Sequence, residues 1–179
     1  MILGPKKLLQ LVKTKKLVEN LSERELNRPE GAGFDLRLGE VYKISGDAFL
    51  GETHRQTAEI KLIKKYDQNK SSSLKIKPGD FYLVKTIESV NMPQNLTASI
   101  TPRSTTYRSG LFIRTGNVPS GYCGGLIFGL KNEGAVIVEI EMGARFVHIQ
   151  FSEVKGGGNL YRGQWQGGRV TARRKEKQK

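Results

Sequence analysis

The 179 residues of the chain, 37% apolar and 26% charged, suit one globular domain with a core of its own. The single cysteine, Cys123, excludes an intrachain disulfide, and with no apolar run of membrane-spanning length and no signal-peptide pattern a cytoplasmic protein is expected. Thirty basic residues against 17 acidic ones leave a formal charge of +13, which favours anionic partners: nucleotides, nucleic acid or acidic lipid.

The first predicted element is helical. Pro5 suits a first helical position, and Leu8, Leu9, Leu11, Val12, Leu17, Val18 and Leu21 fall on one stripe, so the pattern predicts an amphipathic helix over residues 5–21. From Phe34 the period changes to two. Ala58, Ile60 and Leu62 alternate with Glu59, Lys61 and Ile63, and Val136, Val138 and Ile140 with Ile137, Glu139 and Glu141, as in strands with one buried face. Lys77-Pro78-Gly79-Asp80 and Asn91-Met92-Pro93-Gln94-Asn95 read as turns between further strands, spaced too closely for intervening helices. The expectation is a mainly β fold, a jelly roll or barrel with one helix at its start. Gly156–Gly158 reads as a hinge, dividing a β domain over 1–154 from a basic C-terminal arm over 155–179. The arm holds the only tryptophan, Trp165, in glycine-rich polar surroundings that suggest it closes over something. Lysines at 6, 7, 13, 15 and 16, with the tail residues Arg169, Arg173, Arg174, Lys175, Lys177 and Lys179, read as a solvated face or a basic arm for nucleic acid.

The segment Pro102-Arg103-Ser104-Thr105-Thr106-Tyr107-Arg108 concentrates two guanidinium forks, three hydroxyls and backbone N–H groups. Phosphate oxygens need such donors, and arginine can meet them bidentately. His148 reads as a hydrogen-bonded strand residue on the face of Phe146 and Gln150, opposite Arg145, and Cys123 as a small core residue. Neither lies in a metal-ligand spacing.

Five segments in order resemble the superfamily of trimeric dUTP diphosphatases and dCTP deaminases: GAGFDLRLG at 31–39, PRSTTYRSGL at 102–111, GNVPSGYCGG at 116–125, GARFVHIQF at 143–151 and LYRGQWQGGRV at 160–170. The N-terminal helix resembles the opening of the deaminase branch and its archaeal dUTPase relatives. The resemblance implies a distorted β jelly roll assembled as a homotrimer, with sites at subunit interfaces and Mg²⁺ bridging the triphosphate of dUTP or dCTP. On the matching positions it implies that Asp35 orders the Mg²⁺ hydration shell, that Arg103, Ser104, Arg108, Arg162 and Arg169 hold phosphates, and that Tyr122, Asn117 and Trp165 meet sugar or base.

Two positions depart from the pattern. Pro119 stands where the dUTPase branch carries the Asp that activates water, and Gly129 where the deaminase branch carries the Glu that relays protons. Neither side chain accepts a proton, so no pKa shift restores the lost chemistry. dUTP hydrolysis to dUMP and diphosphate is the activity expected first. The alternatives are dCTP deamination, a nucleotide-binding member without catalysis, and a basic nucleic-acid-binding β domain.

Overall fold

Thirteen residues, Gly33–Ser45, run as one strand, β2, around which the main sheet is ordered. Phe34, Leu36 and Leu38 are buried at a period of two, and a bulge between Leu38 and Glu40 then moves the buried parity to Val41. The structure, a computed structural model, describes residues 1–178. Before β2 come α1 (Pro5–Lys15), β1 (Val18–Glu19) and α2 (Glu23–Asn27). After it come β3 (Phe49–Leu50), β4 (His54–Gln56), β5 (Glu59–Lys65), β6 (Ser73–Ile76), β7 (Phe81–Asn91) and β8 (Leu96–Pro102). The chain continues through α3 (Ser104–Arg108), β9 (Leu111–Arg114), β10 (Cys123–Asn132), β11 (Val138–Glu141), β12 (Arg145–Glu153) and β13 (Glu176–Lys177).

The main sheet has the order β8-β12-β2-β7-β10-β9, with β5 added on β2 and β1 on β7, and curls into a nearly closed barrel-like body. Two small sheets, β11-β6 and β13-β4-β3, complete it. The mainly β expectation therefore holds. Edge-on aromatic pairs, Phe34 with Phe151 at 6.4 Å and Phe128 with Phe146 at 6.0 Å, fill the interior between strands. Between α3 and β11, Gly110 and Gly134 pass so closely that a Cβ on Gly110 would lie 2.8 Å from the Gly134 Cα.

Three expectations are corrected. The helix ends at Lys15 rather than residue 21, because Lys16 turns left-handed at φ 51°. Leu17 and Val18 still reach the core, but Val18 does so on a strand paired with Val90 of β7. Secondly, apolar alternation does not mark a buried face everywhere: Leu62 and Ile63 on β5, and Val136 and Ile137 before β11, are exposed in the single chain. Thirdly, two short helices, α2 and α3, do fit between strands.

Candidate functional site

Antiparallel pairing of β2 with β12 sets His148 directly opposite Asp35. The His148 Nδ1 lies 3.0 Å from one Asp35 oxygen, while Arg145 Nη1 at 3.0 Å and Arg103 Nε at 2.9 Å share the other. Fully buried Glu25 joins the cluster, accepting the Asp35 backbone N–H at 3.0 Å and pairing with Arg24. Strict alternation puts Arg145 and His148 on opposite faces. The bulge between Arg145 and Val147 inserts a residue, bringing both to one carboxylate and sending Phe146 into the core. Burial raises the Asp35 pKa, but the His148 hydrogen bond and the Arg103, His148 and Arg145 charges outweigh it and hold the carboxyl below its ordinary value.

From this cluster α3 projects outward. Its base is fixed where the Arg103 N–H and the Thr106 hydroxyl both donate to the Phe146 carbonyl, at 3.0 and 2.9 Å. Ser104 and Arg108 are left exposed. Among the described residues the Arg108 side chain forms no ion pair or hydrogen bond, so a guanidinium and a hydroxyl stand free beside Arg103.

A second neighbourhood holds the remaining predicted residues. Tyr122, Asn117, Trp165 and Arg169 line a cavity of about 530 Å³, together with Pro119 and Phe81. The Tyr122 hydroxyl donates to the Gly125 carbonyl at 2.7 Å and its ring meets Tyr161 edge-on at 5.5 Å. Burial pushes its phenol up to about 12, so it stays protonated. The C-terminal arm lies across this mouth. Gln166 bridges the Gly121 carbonyl and the Cys123 N–H at 3.0 and 3.1 Å, and the Gly167 N–H meets the Cys123 carbonyl at 2.8 Å. Cys123 is exposed, which corrects its core assignment: β10 begins there, with its side chain outside the barrel. Arg162 is exposed outside the cavity, and Lys179 lies outside the described residues.

The cavity is poor in proton acceptors. No carboxylate or histidine lines it among the described residues. Gly129 of β10 sits one residue beyond Phe128 and two beyond Ile127, both of which line the cavity. A Cβ there would lie 3.1 Å from the Phe81 ring, the aromatic occupying ground a longer side chain would need. Nor do the residues fit a directly bound Mg²⁺. Both Asp35 oxygens are already engaged, one by the His148 Nδ1 and the other by Arg103 and Arg145, and among the described residues no group of three His, Cys, Asp or Glu is arranged around a metal.

The single chain thus gathers an apolar cavity of about 530 Å³ under a tryptophan arm, and keeps the exposed Ser104 and Arg108 on a helical turn outside it. The curled antiparallel barrel with its N-terminal helix is the dUTPase-like fold. Residues 2–154 match the dCTP deaminase-like family, and the chain belongs to it. It is 30% identical to a dUMP-forming dCTP deaminase of Dictyoglomus turgidum, over 84% of this chain and 79% of that one. To a dCTP deaminase of Thermococcus kodakarensis it is 32% identical, over 90% of this chain and 92% of that one. A solved 2'-deoxycytidine 5'-triphosphate deaminase of Agrobacterium tumefaciens shares the fold at a TM-score of 0.65 and 21% identity, covering 84% of this chain but 48% of that longer one.

Sequence reasoning missed Arg24, Glu25 and Arg145, which enclose Asp35, and Arg55 and Glu176, which flank Trp165. Only the charge of Arg145 inside the fourth segment offered a signal. The others meet through long-range pairing that no local pattern announces.

Proposed function

We infer that this protein takes pyrimidine deoxynucleoside triphosphates, dCTP or dUTP, as its ligands and belongs to pyrimidine deoxynucleotide metabolism. The observation that carries this is the division of labour just described: Tyr122, Asn117 and Trp165 around one cavity, and Arg103, Ser104 and Arg108 presented outward from α3. The relatives' names, dCTP deaminase and, at 28% identity, a probable dUTP nucleotidohydrolase of Methanothermobacter thermautotrophicus, support the same ligand class.

Because α3 does not line its own chain's cavity, a complete site needs α3 from another copy, and the reading includes a homotrimer with shared sites. Mg²⁺ enters this reading only on the triphosphate's own oxygens, since Asp35 is already engaged by Arg103, Arg145 and His148. Both reactions need a proton acceptor that the cavity does not supply, at Pro119 for hydrolysis and at Gly129 for deamination, and the relatives named dCTP deaminase favour dCTP as the substrate. A second reading, recognition without turnover, is favoured by one observation: position 129 carries no side chain, and a Cβ there would come within 3.1 Å of the Phe81 ring, which must shift before a carboxylate fits.

The test is incubation with Mg²⁺ and dUTP, dCTP, dTTP or UTP, with chromatography of the products and parallel binding measurements. dUMP from dUTP establishes hydrolysis, and ammonia from dCTP establishes deamination. Unchanged dUTP that nonetheless binds establishes the second reading. No binding to any of the four, by a protein whose mass in solution is that of a trimer, defeats both readings.

A further inference from the structure

The arm is tied down at both ends, and only one end belongs to the segments that announce the cavity. At its start it leaves the barrel at Gly156 and Gly157, which take left-handed φ of 84° and 81°. Beyond Arg169 the chain runs back to the β3–β4 hairpin and pairs along it. The Thr57 N–H donates to the Ala172 carbonyl at 3.3 Å, and the Ala172 N–H to the Thr57 hydroxyl at 2.8 Å. Further on β13 pairs with β4, and the Gln178 N–H meets the Thr53 carbonyl at 2.8 Å. Ala172 is fully buried in this return. The hairpin and residues 171–178 lie outside all five segments, and the tail lies outside the family match as well.

One side chain of the hairpin joins the arm to the tail. The Arg55 guanidinium stacks over the Trp165 ring at 4.5 Å from its centroid, donates from Nη2 to the Gln164 side-chain oxygen, and faces Glu176, the residue opposite it on β13. Only 15% of the Arg55 side chain is exposed, so these contacts form away from bulk water, where a cation over an indole is held most strongly. Gln164 in turn donates to the Lys177 carbonyl at 2.8 Å. The contact is also breakable. The Arg55 Nε lies 3.5 Å from the nearest Glu176 oxygen and has no hydrogen-bond partner, so the closed arrangement carries the cost of one unsatisfied buried donor.

We propose that the hairpin and the tail form a clasp, pinned by Arg55, that holds the tryptophan arm shut over the cavity before any ligand arrives, so that a ligand enters only after the clasp opens. Arg55 is a positioning residue in this scheme, acting on the cavity through Trp165. A segment tied at one end frays open at little cost, whereas one tied at both must also break the tail's pairing. The affinity and the entry rate are then reduced by the fraction of chains that are open. The proposal rests on the nucleotide reading only for the identity of the ligand, because the closed arm is a property of the free chain.

The experiment follows Trp165, the only tryptophan, by acrylamide quenching of the full chain without nucleotide. We expect the parent to be quenched well below N-acetyltryptophanamide, and Arg55→Gln to raise the quenching constant at least about 2-fold as its contacts to the arm are lost. Ala172→Asp, which puts a charge into the buried seat of the tail, should do the same. A parent quenched as freely as N-acetyltryptophanamide overturns the proposal, and so does an Arg55→Gln protein quenched no more than the parent. If Arg55→Gln lowers the thermal midpoint of the barrel, Ala172→Asp decides in its place, because that side chain belongs to the tail. In stopped-flow mixing with dUTP or dCTP both variants should associate at least about 5-fold faster than the parent, since the rate scales with the open fraction. Association no faster than the parent's, with Trp165 released, overturns the gate. If neither nucleotide binds while Trp165 is shielded in the parent and released in the variants, the clasp stands and the proposed function falls.

Discussion

Replacing Asp35 by Asn removes the charge on which Arg103, Arg145 and His148 converge while keeping the side chain's shape. Removing one partner of a buried ion pair costs about 3–5 kcal/mol, because the remaining charges stay desolvated. Here the three side chains that meet Asp35 keep 28%, 30% and 25% of their surface and can turn toward water, so the low end applies, about 3 kcal/mol. In a chain of this size each kcal/mol moves Tm by about 2–4 °C, which gives a fall of about 6–12 °C. A second signature follows from the direction of the pKa shift. The folded carboxyl titrates below its ordinary value, so its stabilisation is present above the unfolded pKa of about 3.9 and is lost as pH falls through the folded one. Urea unfolding followed by circular dichroism at pH 7 and at steps downward from pH 5 measures both. The parent should lose stability on acidification that Asp35→Asn has already lost. A variant within about 0.5 kcal/mol of the parent at pH 7, or with the parent's full acid slope, would refute the account of the cluster.

Arg108→Ala should leave Tm unchanged, since that side chain is exposed, yet lower dUTP and dCTP affinity at least about 10-fold in calorimetry, the worth of a charge-assisted phosphate contact. Gly129→Glu should destabilise by about 1–3 kcal/mol through crowding against Phe81, seen in thermal unfolding, and adding Phe81→Ala should recover part of that loss. If the single variant matches the parent, the ring does not occupy the space. Absorbance titration at 295 nm should show a phenol deprotonating at about 12 that disappears in Tyr122→Phe. That variant should also lose about 1 kcal/mol with the hydrogen bond to the Gly125 carbonyl.

Much of the barrel was legible because its turns announce themselves: Lys77-Pro78-Gly79-Asp80 closes where β6 gives way to β7, and the Asn91–Asn95 turn where β7 gives way to β8. Trp165, in a glycine-rich polar arm with little core to join, pointed to a surface it closes over, while Tyr122 was placed there only through the family resemblance; both line the one cavity. What escaped depends on parity and on distant pairing. One inserted residue at the Arg145–Val147 bulge reverses the face of Arg145, and periodicity counted across it gives the wrong neighbour for His148. The apolar stripe beyond Lys16 was read correctly as buried but wrongly as helix, because a stripe records which residues face inward and not the backbone that turns them there. Arg55 and Glu176 stand opposite one another only because the tail returns to β4.

The crowding at Gly129 also bears on how such a chain can change. From a GGA or GGG glycine codon one base substitution gives Glu, so a carboxylate at that position lies a single step away. With Phe81 settled 3.1 Å from where the new Cβ must go, that step first meets a steric penalty and restores no chemistry until the ring also changes. A carboxylate therefore enters position 129 only together with a shift of the Phe81 ring, so the two positions change as a pair rather than one at a time.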